Sequence, residues 1–389
     1  MTIISTAIDT GFPPALLHAC VAQRLAYFES HTIAHPRLKE VSDLSLRTIA
    51  EPAGASFVFI YGASGVGKTT LRRRLEQKLT EAALVRAVLA PGSIPVAGIE
   101  AIAADAKNFD WKNFYVRSLM ALNEPSINHK VDYGTQGIYR NLLGELIIQP
   151  KTVNANLRIA LENALRHRKP DIFFIDEAQH LGKLASGRKL QDQMDSLKSL
   201  ANVTGVLHGL LGTYELLSFR NLSGQLMRRS IDIHFRRYYA SDPDDVRAFQ
   251  STLLSFQRQM SVLEMPDLVG NWEYCYERSL GCIGTLKDWL TKALKDALDE
   301  DVHTVTLKHL ENRAWSAFKC RGMLKEIVEG EKQLSEEESD IRSLRMALGL
   351  DADGSNRSDE PPSAKSTGGS KQKVGQRKPK RDAIGQLAS

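Results

Sequence analysis

The stretch 57-FVFIYGASGVGKTTLRRRL-75 decides the fold. Five apolar or aromatic residues run into a glycine cluster. A lysine and two threonines follow, then a helix with Leu71, Leu75 and Leu79 at i, i+4 and i+8. A strand that enters a glycine-rich turn and leaves as a helix is the setting of a phosphate-binding loop. Gly62-Ala63-Ser64-Gly65-Val66-Gly67-Lys68-Thr69 fits GxxxxGK[ST] without departure, and Thr70 continues the turn. The glycines let backbone N–H groups converge on phosphate oxygens, and the helix adds the positive end of its dipole. Lys68 is expected at the β- and γ-phosphates and Thr69 on Mg²⁺.

Downstream, Ile172-Phe173-Phe174-Ile175-Asp176-Glu177 is a hydrophobic strand ending in two acids. Asp176 is expected to hold the metal and Glu177 to polarise an attacking water as general base. Thr213 ends the next apolar strand, GVLHGLLGT (205–213), and is expected between Glu177 and the γ-phosphate. Arg228 and Arg229 precede the last strand, IDIHF (231–235), and one of them is expected to reach a neighbouring copy's phosphates. Gly284-Thr285-Leu286-Lys287 opens an amphipathic helix, with Lys287 placed to touch the γ-phosphate. No NKxD-type guanine reader is visible, which favours ATP.

Around these signals, apolar strands alternate with helices. Runs without polar alternation imply a parallel sheet covered on both faces. The expected strands are 57–61, 84–90 (LVRAVLA), 172–176, 205–213 and 231–235, with IEAIAADAKNFDWKNFYVRSLMALNEP (99–125) reading as mostly helical. After Tyr239 only helical periodicity remains. The organisation expected is an N-terminal helical segment (1–50), an α/β nucleotide-binding core (51–239), a helical lid with C-terminal helices (240–350) and a disordered basic tail (351–389).

Together, the phosphate loop, FFIDEAQHL (173–181), GVLHGLLGTYEL (205–216), QLMRRSIDIHF (225–235) and the lid GCIGTLKDWLTKAL (281–294) resemble an AAA+ ATPase. More narrowly they resemble the TnsC/TniB regulators of transposon target selection, over residues 10–300. The resemblance implies ATP- and Mg²⁺-dependent assembly of a homo-oligomeric ring or filament on double-stranded DNA. It implies a TniQ-type targeting protein at one end and a transposase, TnsB-type with or without TnsA-type, at the other. Related ATPases often carry arginine at the lid position of Lys287, whose compact charge forms no bidentate fork. Two other classes fit the nucleotide site. One is a DNA-engaged initiator or helicase loader; the other is a signalling or secretion ATPase of ExeA or STAND type.

Charge bears on the DNA expectation. The net charge of the 389 residues is +5, but seven Lys/Arg and one acid give residues 361–389 a charge of +6. The remainder sums to −1, so DNA affinity of the folded part requires a local patch. Lys107, Asn108, Lys112 and Arg117, among aromatics, are one candidate set for phosphate contacts. Lys183, Arg188 and Lys189 are a second. The four cysteines form no CxxC pair, so structural zinc is not expected. No run of about 18 apolar residues and no signal peptide are visible, and a cytoplasmic protein without a membrane span is expected.

Overall fold

Aromatic and branched side chains point to both sides of 57–61, 172–176 and 207–212, so these segments are stable only with protein above and below them. The computed structural model of the chain describes residues 11–84, 92–103, 109–123, 138–140, 146–148, 154–182, 188–222, 224–336 and 338–350. Its strands are β1 (Phe57–Tyr61), β2 (Val96–Glu100), β3 (Ile138–Arg140), β4 (Leu146–Ile148), β5 (Ile172–Asp176), β6 (Leu207–Gly212) and β7 (Ser230–His234). The main sheet is parallel throughout, in the order β2-β5-β6-β1-β7. β3 and β4 form a separate antiparallel pair.

The earlier helices are α1 (Val21–Ser30), α2 (Pro36–Ala50), α3 (Lys68–Leu84), α4 (Trp111–Ala121), α5 (Asn154–Arg168), α6 (Arg188–Thr204), α7 (Leu217–Arg220) and α8 (Gly224–Arg228). The later helices are α9 (Pro243–Gln259), α10 (Trp272–Ser279), α11 (Ile283–Asp299), α12 (Leu307–Arg313) and α13 (Ala317–Leu334). The chain divides into a unit over 1–335 and a second over 336–389, of which α14 (Glu338–Ala347) is the described element. No helix among the described residues is long and apolar enough to cross a membrane.

The sheet separates two clusters. Phe57, Phe59, Tyr61, Phe173 and Ile175 face one side, against α4, α5 and α6. Val58, Ile60, Phe174, Leu211 and Ile233 face the other, against Leu71 and Leu75 of α3. A third cluster forms the lid around Phe249, Leu253, Leu286, Leu290 and Leu294. Phe28 of α1 belongs to the lid cluster, whereas Leu38, Val41 and Ile49 of α2 belong to the core.

One strand differs from expectation. The segment 84–90 lies outside the described residues except Leu84, which ends α3. The described strand at that edge of the sheet is 96–100, whose last two residues fall in a stretch that reads as helical. Val-Ala-Gly-Ile-Glu has little apolar bulk because its neighbours approach closely. A Cβ on Gly98 would lie 3.0 Å from Phe174 Cβ and 2.9 Å from Glu76 Oε1.

Candidate nucleotide site

The sheet order settles which side chains meet. β6 lies between β1 and β5, and all three run the same way. Their C-terminal ends therefore bring the phosphate loop after β1, Thr213 after β6 and Asp176-Glu177 after β5 to one edge. Three signals spread over 150 residues of sequence share that edge only because of this order.

The loop is built by conformation and by contact. Gly65 and Gly67 have φ of 76° and 114°, in the region where a Cβ is strained. Gly62 has no room for a side chain, because a Cβ there would lie 2.6 Å from Phe235 O and 2.8 Å from Val66 Cγ1. Lys68 opens α3, and the residue is 6% exposed. It donates to the carbonyls of Gly62 (2.9 Å) and Ala63 (3.0 Å). Burial pushes its pKa down, against the pull of Glu177, Asp176 and Cys282. A buried cation resting on two neutral carbonyls has unused capacity for an anion.

Asp176 is 2% exposed, and burial raises its carboxyl pKa. Arg72, the Glu177 N–H and the Thr69 hydroxyl oppose that rise. The Glu177 N–H donates to Asp176 Oδ1 (3.0 Å), and Arg72 Nε lies 3.6 Å from Oδ2. A carboxylate beside a hydroxyl, with no thiolate or imidazole, is an oxygen set that suits Mg²⁺. The buried ammonium, the glycine cradle and this oxygen pair fit a magnesium-bound nucleoside triphosphate.

Glu177 sits in the left-handed region at φ 49°, ψ 36°. Such a conformation costs a non-glycine residue on the order of 1 kcal/mol and gathers at functional sites. Thr213 lies at the same edge, with its Oγ1 buried and without a hydrogen-bond partner among the described residues. The buried side chain that ties these two residues together is Gln179, which the sequence reading passed over. The only hint was its place in DEAQHL.

The lid touches the loop directly. Thr285 N donates to Gly65 O (3.0 Å), so α11 begins on the phosphate loop. A pocket beside it is lined by Ile33, His35, Gly67, Thr70, Gly284 and Phe256. His35 accepts at Nδ1 from Tyr238 Oη (3.0 Å) and from the Leu38 N–H (3.4 Å). Burial lowers its pKa to about 4, with Arg74 and Arg37 adding to the effect, so the ring is neutral. His35 caps α2, which Pro36 opens, so the junction of α1 and α2 brings the ring to this pocket.

Lys287 lines the same pocket, but its ammonium is committed elsewhere. It donates to Glu29 O (2.6 Å) and His31 O (2.8 Å), at the end of α1. Free carbonyls at a helix C-terminus attract a cation, which offsets the unfavourable start of α11. The contact expected with a γ-phosphate is replaced here by one that fixes α1 to the lid.

Arg228 and Arg229 lie at the other end of the sheet. Ser56 N and Phe57 N donate to Arg229 O, at the start of β1. Five strand residues separate them from the loop, roughly 16 Å at the usual rise. They therefore cannot serve their own subunit's phosphates. Arg229 donates to Asn202 Oδ1 (2.7 Å). Arg228 has no side-chain partner among the described residues, and both line a cavity of ≈ 350 Å³ with Lys198 and Gln225.

Of the DNA candidates, Lys107, Asn108 and Lys183 lie outside the described residues. Arg188 and Lys189 open α6. Lys112 and Arg117 sit on α4, and Arg117 lines a cavity with the acids Glu100 and Asp110. The aromatics around them, Phe109, Trp111, Phe114 and Tyr115, pack on one another edge to face or tilted. That stretch spends its rings on the core.

Residues 51–219 match the family of the AAA domain. The core has the AAA+ fold. Its sheet, flanking helices and helical C-terminal region follow that architecture. No curated protein matches the chain in sequence. Among solved structures, the Aeropyrum pernix ORC1 protein in complex with DNA is 17% identical, with 75% of this chain and 68% of that one covered and a TM-score of 0.49. The ORC2 protein of the same organism, in ADPNP–ADP complexes, is 17% identical over 74% and 70%, with a TM-score of 0.48. Drosophila ORC bound to DNA is 12% identical over 90% and 87%, with a TM-score of 0.47.

Proposed function

We propose that this AAA+ protein is an ATPase that assembles on double-stranded DNA and regulates transposition, linking a TniQ-type target selector to a transposase. The observation that carries the reading is the division of the site across the sheet. Lys68, Asp176, Glu177 and Thr213 share one edge, and Arg228 lies at the opposite edge with no side-chain partner among the described residues. Such a site is complete only when a second copy brings its arginine to the first copy's phosphates.

In this reading, Lys68 neutralises triphosphate charge, and Thr69 and Asp176 hold Mg²⁺, which supplies further charge neutralisation at the phosphates. Glu177 takes the proton of the attacking water, and Thr213 uses its unpaired hydroxyl to register the γ-phosphate. Arg228, with no side-chain partner among the described residues, is assigned as the residue given in trans. The pocket at Ile33, His35 and Gly284 takes the adenine ring between the α1–α2 junction and the lid. The transposition assignment is supported by the DEAQHL, GTYEL and RR blocks in their order and spacing.

Electron microscopy with ATP and duplex DNA tests it. Rings or filaments that need both ligands support the proposal. A chain that stays monomeric with both present removes it, and binding as single rings at a DNA opening site favours the initiator class.

A further inference from the structure

Gln179 is 6% exposed, on the single turn that follows Glu177. Its side-chain amide is shared between two functional groups. Nε2 donates to Glu177 Oε2 (2.5 Å), and Oε1 accepts from Thr213 N (3.3 Å). The orientation of the amide is dictated by chemistry. An N–H at Thr213 requires an oxygen opposite it, which turns the NH₂ end to the carboxylate. Gly212 leaves the room this requires, since a Cβ there would sit 2.3 Å from Gln179 Oε1.

The turn at the far end of this link is itself held. Tyr214 Oη lies 2.9 Å from His234 Nε2 at the end of β7. The Tyr214 ring packs on Gly330 of α13, where a Cβ would lie 2.2 Å from Cγ. The next residue, Glu331, receives both Arg237 Nε (3.0 Å) and Nη2 (3.3 Å). Helix α13, the turn at 213–214, Gln179 and Glu177 thus form one continuous set of contacts.

We propose that Gln179 is a positioning residue that couples the 213–214 turn, and through it α13, to the Glu177 carboxylate. Glu177 has a strained backbone and one carboxylate oxygen committed to Gln179. Its direction depends on where the amide is held, and the amide is held by Thr213. A shift of the turn is transmitted to the water-polarising group without any change in the phosphate loop. The inference rests on the reading of Glu177 as the general base.

Two substitutions in the full-length protein separate the two halves of the link. Gln179→Met keeps the volume and removes both hydrogen bonds. Gln179→Glu keeps an acceptor for Thr213 and removes the donor to Glu177. Without nucleotide, hydrogen exchange at the Thr213 amide is expected to quicken by about tenfold in Gln179→Met and to stay slow in Gln179→Glu. With ATP, both variants are expected to lose on the order of 10- to 100-fold in kcat with nucleotide Kd held. Unchanged Thr213 exchange in Gln179→Met overturns the coupling, as does full kcat in Gln179→Glu. Wild type and Glu177→Gln are run beside them. If wild type does not hydrolyse ATP, the ATPase reading fails, while the exchange result still judges the Gln179–Thr213 link.

Discussion

Thr285 N donates to Gly65 O at 3.0 Å, so the lid helix starts on the phosphate loop. The approach is close enough that neither side has space for a methyl group. A Cβ on Gly284 would lie 2.5 Å from Gly65 O, and one on Gly65 would lie 2.1 Å from Thr285 Oγ1. Lid position and loop geometry are therefore one variable.

Gly284→Ala is expected to push α11 off the loop and weaken nucleotide binding by about tenfold, about 1.4 kcal/mol. Alanine favours a helix over glycine by up to about 1 kcal/mol, so intrinsic propensity predicts the opposite sign. Titration with a fluorescent nucleotide, together with a thermal melt, checks it. Unchanged affinity would show that the lid contact is passive.

Lys68→Ala is expected to abolish nucleotide binding and, with it, DNA-dependent assembly. Glu177→Gln is expected to retain binding while kcat drops by roughly 10²- to 10⁴-fold. Filter binding and phosphate release separate the two. A Glu177→Gln protein with normal turnover would remove the base assignment.

Mixing variants tests the opposite edge of the sheet. Arg228→Ala copies carry an intact loop, and Lys68→Ala copies carry an intact Arg228. Each alone is expected to be inactive, and an equimolar mixture is expected to recover part of the ATPase rate, because some interfaces then combine both intact halves. A mixture no more active than its parts would argue against a shared site.

Helix α2 is tied to the lid by a buried ion pair. Arg37 Nη2 donates to Asp245 Oδ1, with the two residues 8% and 4% exposed. Asp245→Ala leaves the guanidinium buried and uncompensated, which costs on the order of 3–5 kcal/mol. Denaturant unfolding measures this directly. A loss below 1 kcal/mol would mean that Glu40 alone satisfies Arg37.

Two buried histidines set an acid limit. Burial lowers the pKa of His35 and of His208 to about 4, against 6.5 ordinarily. The unfolded chain binds these protons first, so the stability from each is intact above pH 6.5 and is lost as pH falls towards 4. Each accounts for up to about 3 kcal/mol. His208 packs against Phe57 and Phe173, and its Nε2 is buried without a partner among the described residues. His208→Phe is therefore expected to unfold less readily than wild type between pH 6.5 and 4. Parallel stability curves for the two proteins would contradict this. Asp176, shifted the other way, is common to both and cancels in the difference.

What the chain reveals before folding is its local chemistry. GASGVGKT is readable because a phosphate cradle needs glycine, lysine and threonine at set spacing within one turn of chain. FFIDE is readable because a doubly covered strand cannot be polar until it ends. The strand at 96–100 escaped because its small residues reflect neighbours over 70 positions away, a spacing no periodicity records. Lys287 had the right type and position for a phosphate. Only the packing of α1 against the lid offered it two carbonyls instead. Gln179 is one polar residue among many until β6 lies beside β5 and places Thr213 N opposite its amide. Short-range covalent geometry wrote the loop and the acids. Strand order and helix docking, which depend on burial summed over the whole chain, decided which of those groups meet.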